Sequence, residues 1–138
     1  MGKMMKFKMF NEAGAHLNGR LTYVAGGAVE RGDVVKFDSD GKVVKCTANT
    51  DAAIGVALDG SVAGEIVAVA ILGSYTGTVV VRAAGAIAKG AKVGADAKAY
   101  AEAVTGEDAK PASVVIGVAL DAAVAAGELI EVAHRVAV

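Results

Sequence analysis

Ile54-Gly55-Val56-Ala57-Leu58-Asp59 and Ile116-Gly117-Val118-Ala119-Leu120-Asp121 spell the same hexapeptide, IGVALD, twice in a chain of 138 residues. An identical string recurring in one small chain marks a supersecondary unit used twice. The match extends outward on both sides. Downstream, AGEIVAV at Ala63–Val69 has its counterpart in AGELIEV at Ala126–Val132; upstream, GAVERGDVV at Gly27–Val35 pairs with GAIAKGAKV at Gly85–Val93. The matches keep their order at separations of 58, 62 and 63 residues. Length differences therefore fall between the matched segments, in loops, where extra chain costs little. The pattern predicts two related lobes, residues 21–72 and 78–136, within a single β domain spanning 21–138. Residues 1–20 have no counterpart in the second lobe and read as an N-terminal arm.

The hexapeptide itself reads as strand. Ile54, Val56 and Leu58 share one face and Gly55 and Ala57 the other; Ile116, Val118 and Leu120 repeat the arrangement around Gly117 and Ala119. A face of only Gly and Ala lets another backbone approach closely. Period two continues elsewhere. Val35 and Phe37 alternate with Val34, Lys36 and Asp38, Asp40-Gly41 supplies a hairpin turn, and Val43–Thr47 returns. In the last strand Ile130, Val132, Val136 and Val138 lie on one face with Glu131 and Arg135 on the other, the mark of a half-buried antiparallel strand. Ala95–Ala103, ADAKAYAEA, has helix-favouring residues, but the repeat lays it over the Asp40–Thr47 hairpin and so favours strand. Glu107–Ser113, with Pro111, reads as a loop. The expected class is all-β and antiparallel.

Composition narrows the function. Ala, Val and Gly fill half the chain, hydrophobic residues make 54% and charged residues 21%, and the net charge is −1. That is not a disordered composition. Nor does it supply the cationic excess that binding to phosphates needs, so no nucleic-acid partner is expected. The uncharged stretch Ile66–Val81 is broken by Gly73, Ser74, Thr76 and Gly77 and is too short for a membrane span. Lys3, Lys6 and Lys8 interrupt any signal-like apolar run, so no membrane partner is expected either. Cys46, the lone cysteine, forms no internal disulfide.

Candidate chemistry is thin. His16 follows Glu12 by four residues, a metal-ligating spacing on a helix, but Gly14 and Gly19 argue against one. Cys46 sits at an alternating hairpin position and reads as a small buried hydrophobe. Asp33, Asp38, Asp40, Asp51, Asp59, Glu65, Asp121 and Glu128 fall at turns and strand ends and read as caps, without calcium-loop spacing. Arg31-Gly32-Asp33 spells an adhesion tripeptide, yet its repeat partner Lys89-Gly90-Ala91 marks the position as a structural turn. Lys42 at the hairpin tip is the one candidate for a lipoyl- or biotinyl-type attachment, without that signature around it. No phosphate-cradling glycine loop is present. The sequence therefore predicts a non-enzyme with no catalytic, cofactor-binding or metal-binding residues.

The apolar excess is itself a signal. Both faces of Glu65–Leu72 are apolar, an aggregation hazard for an isolated strand, which an oligomer interface would cover. Ile66, Val67, Val69, Ile71 and His134, which sits among the apolar positions of the last strand, are the candidate interface.

LTYVAGGAVERGDVVKF at Leu21–Phe37, AAGAIAKGAKV at Ala83–Val93 and the closing IGVALDAAVAAGELIEV at Ile116–Val132 together resemble the capsid cement, or head decoration, proteins of tailed phages over roughly residues 17–136. The resemblance implies a small β-barrel or tulip-like β domain that forms a homotrimer. It implies binding to the major capsid protein on the outer surface of the virion head, after synthesis in the host cytoplasm, and stabilisation of the shell against internal DNA pressure. It brings no catalytic residues and no cofactor. The arm and the loop Thr105–Pro111 depart from the family pattern. Within the arm, Lys3, Met4, Met5, Lys6, Phe7, Lys8 and Phe10 combine adaptable apolar area with positive charge and are the candidate capsid contacts. Another capsid or tail component, or a soluble carrier or ligand-binding β module, are the other readings of the same sequence.

Overall fold

A computed structural model describes residues 18–99 and 115–134. The candidate capsid contacts Lys3, Met4, Met5, Lys6, Phe7, Lys8 and Phe10, the loop 107–113 and residues 135–138 lie outside the described residues. The first lobe contains β1 (Arg20–Val24), β2 (Val34–Phe37), β3 (Val43–Lys45), β4 (Gly55–Ala57) and β5 (Ile66–Ile71); the second contains β6 (Val79–Arg82), β7 (Lys92–Gly94), β8 (Val115–Ala119) and β9 (Leu129–His134). Branched Val and Ile dominate these segments and favour the pleated backbone. β1 thus begins within the stretch assigned to the arm.

The strands form two antiparallel sheets, ordered β1-β5-β4-β2-β3 and β6-β9-β8-β7. The second order is the first written in repeat equivalents, without a named strand for β3. The bonds outside the ladders recur as well. Ala57 N–H donates to Asp33 O and Ala119 N–H to Ala91 O; Gly64 N–H donates to Ala25 O and Gly127 N–H to Ala83 O; Val29 and Ser61 exchange a pair of bonds, as do Ile87 and Ala123. The closing Asp of each hexapeptide reaches the same place: Asp59 accepts from Ala68 N–H and Asp121 from Glu131 N–H, both at 3.2 Å.

The lobes are all-β, as the resemblance to the family implied, but of the barrel or tulip-like forms it allowed neither lobe is a closed barrel: each is a curled open sheet. In the first, β1 and β3 meet at one parallel bridge, Ala25 to Val43, where Gly26 N–H donates to Val43 O at 2.8 Å. In the second, Ala84 N–H donates to Ala97 O at 2.8 Å. A closed ladder needs several successive bonds, and β3 is only three residues long. The segment beginning at Ala95 forms no helix up to Ala99: a tight turn, with Ala97 at φ 63°, returns the chain to bridge Ala99 against Val93.

Two cores result. Ala25, Val29, Val35, Val43, Ala57, Val67 and Val69 close the inside of the first lobe. Their equivalents Ala83, Ile87, Val93, Ala97, Ala119, Ile130 and Val132 are all buried in a second cluster. That cluster continues into the first lobe through Val34, Cys46, Val56 and Ala70, which lie on the outer face of the first sheet. The second lobe therefore sits on the back of the first.

Candidate functional site

The hexapeptides pack backbone closely against backbone. A Cβ on Gly55 would meet the Ala70 carbonyl oxygen of β5, and one on Gly117 would meet the Ala133 carbonyl oxygen of β9. The approaching backbone is thus the neighbouring strand of the same sheet. Val56 and Ile116 are fully buried, Ile54, Leu58 and Val118 half-buried, and Leu120 38% exposed.

The β5 residues separate. Val67 and Val69 are fully buried in the first lobe's own core and Ala70 under the second lobe. A single chain therefore covers most of both faces of this strand, which removes Val67 and Val69 from any intermolecular surface. Ile71 is half-buried, and Ile66, 61% exposed, is the β5 residue that faces outward. His134, at the end of β9, binds the connector between lobes: Nδ1 accepts from Gly73 N–H at 2.9 Å, and Nε2 lies 3.1 Å from Tyr75 O and 2.9 Å from Gly77 O. An acceptor role at Nδ1 and a donor role at Nε2 fit the neutral ring with its proton on Nε2.

Where the lobes meet, a cleft of about 310 Å³ is lined by Asp33, Lys45, Cys46, Arg82, Asp96 and Gly127 among others. Its polar groups are committed to holding the chain. Asp33 is 4% exposed; its Oδ2 accepts from Glu30 N–H at 2.9 Å, and Lys45 Nζ stands 3.9 Å from Oδ1. Arg82 spans the seam: its main-chain N–H donates to Gly32 O at 2.8 Å, its guanidinium donates to Arg31 O and Gly127 O, and Nε lies 3.3 Å from Glu30. The Arg31-Gly32-Asp33 tripeptide is this seam's turn, with Gly32 at φ 93°.

Burial, followed by the negative charge of Asp51, pushes the Cys46 thiol up to about 12, so the nucleophilic thiolate is suppressed. Asp51 is held below the usual carboxylate range, first by the hydrogen bond from Lys36 Nζ at 2.9 Å and then by the N–H groups of Thr47 and Ala48. Asp38 caps the Lys42 hairpin by accepting from Asp40 and Lys42 N–H. Among the described residues no group of three or more His, Cys, Asp or Glu is arranged to hold a metal ion.

Large apolar side chains stand exposed at positions paired by the repeat, Val62 at 56% with Val124 at 80% and Ile66 at 61% with Leu129 at 40%, beside Val24, Phe37 and Leu120 and charged residues such as Arg31, Lys42 and Lys89. Sequence reading did not anticipate the Arg82 seam. Its signal lay where the copies differ, Arg82 standing against Val24 and Glu30 against Ala88.

The described residues form a duplicated antiparallel β module in which Asp33, Asp38, Asp51 and Arg82 hold its own turns and seam, and in which large apolar side chains recur on the surface of both lobes. A family profile for phage cement proteins matches residues 20–135, and the chain belongs to the phage cement protein family. Its role is structural and capsid-associated. In fold it is similar to the N base of the bacteriophage phi29 head fiber gp8.5, with a TM-score of 0.56 at 19% identity over 82% of this chain and 90% of that one. No curated protein matches the chain.

Proposed function

We propose that the protein is a non-enzymatic capsid cement protein that binds the major capsid protein on the outer surface of a phage head as a homotrimer and stabilises the shell against packaged DNA. The observation that carries the reading is the repeat-paired exposed apolar surface, Val62 with Val124, on a chain that belongs to the phage cement protein family. Exposed apolar groups recurring on two lobes suit multivalent contact with a repeating lattice. A protein that binds the mature shell and not its separated parts stabilises it by linkage. At a free concentration of about 100 times Kd this contributes about 2.7 kcal/mol per site, and many sites act together.

Native mass spectrometry of the full chain, followed by imaging with candidate capsids, tests the reading: discrete trimers that decorate heads are expected, and a stable monomer that ignores capsids overturns it. The arm residues Lys3, Met4, Met5, Lys6, Phe7, Lys8 and Phe10 are proposed to make the capsid contact. Deleting residues 1–12 is expected to leave a soluble oligomer that no longer decorates; unchanged occupancy would rule the arm out.

A further inference from the structure

The seam between the lobes is one-sided. The second lobe offers the outer edge of β6 and Leu129 to the Glu30–Gly32 turn of the first and lays β6 over β4, where Val34, Val56 and Ala70 join its core. Arg82 N–H bonds Gly32 O at 2.8 Å, and a Cβ on Gly32 would stand 2.9 Å from both Arg82 N and Leu129 Cδ2. The repeat supplies both halves a second time. The edge of β1, with Val24 38% exposed and Ile66 61% exposed, is the counterpart of Arg82 and Leu129. The Ala88–Gly90 turn, with half-buried Val118 and Ala133, is the counterpart of the receiving face. Among the described residues these two halves are not joined: Gly90 keeps the left-handed turn at φ 88°, but nothing lies within 4 Å of where its Cβ would be.

We propose that successive copies of this chain join head to tail by repeating the lobe seam, the β1 edge of one copy seating on the Ala88–Gly90 turn of the next, with Val24 N–H bonding Gly90 O. The inference rests on the homo-oligomeric part of the reading above and gives it a geometry. The residue exchanges between the copies support a second copy as the occupant. Inside the chain the seam pairs Arg82 with Glu30, 3.3 Å apart; between chains the same positions hold Val24 and Ala88, apolar against apolar. An incorrect pairing of β1 with a first-lobe turn would place Val24 against the carboxylate of Glu30, so each edge matches one receiver. Lys92, in place of Val34, is the one polar exchange on the receiving face, and its stem can cover apolar surface while the ammonium reaches the rim. Such a contact is heterologous, using two different patches, and closes into a ring when the rotation per copy divides a full turn.

Cysteine cross-linking of the full chain tests this, with native mass spectrometry reporting the oligomer separately. Val24→Cys and Lys89→Cys variants, co-expressed and treated with a short bis-maleimide, are expected to give a covalent heterodimer. Neither variant should cross-link alone, and the double variant should give a ladder ending at the copy number of the ring. Buried Cys46 makes wild type the blank. Val24→Glu, at an exposed edge, is expected to keep the wild-type circular dichroism spectrum and raise the concentration for half-assembly at least tenfold. An oligomer in which Val24→Cys cross-links to itself, or in which the mixed pair stays uncoupled, overturns the head-to-tail geometry and leaves the oligomer standing. A monomer at all concentrations overturns both.

Discussion

Gly55 and Gly117 occupy demanding positions, because an added Cβ meets a main-chain carbonyl of the adjacent strand and not a side chain that can rotate away. Gly55→Ala or Gly117→Ala is therefore expected to cost about 1–3 kcal/mol, measured by urea unfolding. Gly85→Ala, with nothing within 4 Å of the new methyl, should fall within about 0.5 kcal/mol of wild type. Asp51 titrates below its unfolded value, so the stability it contributes is fully present above the ordinary carboxylate range and is lost as pH falls through the folded value. Asp51→Asn should lower the denaturant midpoint at pH 7, with the gap to wild type closing as the medium is taken below pH ~3.9. The same reasoning makes Cys46 inert to iodoacetamide at pH 8 in the folded protein and reactive once unfolded, followed by mass spectrometry.

At the scale of elements, the connector between the sheets is tied to β9 by two side chains, His134 and, through Thr78, Glu131. His134 on β9 binds Gly73, Tyr75 and Gly77, so the last strand of the second lobe fixes the path out of the first. His134→Ala is expected to cost about 1 kcal/mol and to raise amide exchange at Gly73 above that of the β5 core. The strands themselves were legible in the sequence because period two and the repeat agree at every matched segment. Ala95–Ala99 shows why the repeat outranked composition. Ala and Lys are strong helix formers, but four residues fewer than in the β2–β3 hairpin still return the chain to the Ala84 bond. Barrel closure was not legible, since it depends on how far each sheet coils, which no residue pattern states.

For the whole molecule, the shared core makes the lobes interdependent. Val34, Val56 and Ala70 of the first lobe are covered by the second, and removing that cover exposes apolar surface worth about 25 cal/mol per Å². One cooperative transition is expected by calorimetry, with calorimetric and van't Hoff enthalpies equal. Val56→Ala should move that single transition, costing about 2 kcal/mol for two buried carbons and the cavity they leave, without splitting it. The apolar faces of β5, read in the sequence as an interface, are largely satisfied within one chain, which leaves Val24, Ile66, Val62 and Val124 as exposed apolar positions.

The sequence by itself determined the all-β class, the duplication and the glycines on the close-packed face, because each follows from local periodicity or from comparing the chain with itself. Tertiary structure alone decided which apolar residues were spent inside. Period two says that Val56 and Val118 lie on the same face of equivalent strands, yet Val56 is 1% exposed and Val118 half-buried. The difference arises because one lobe sits on the other, and burial depends on what packs against a residue rather than on the residue alone.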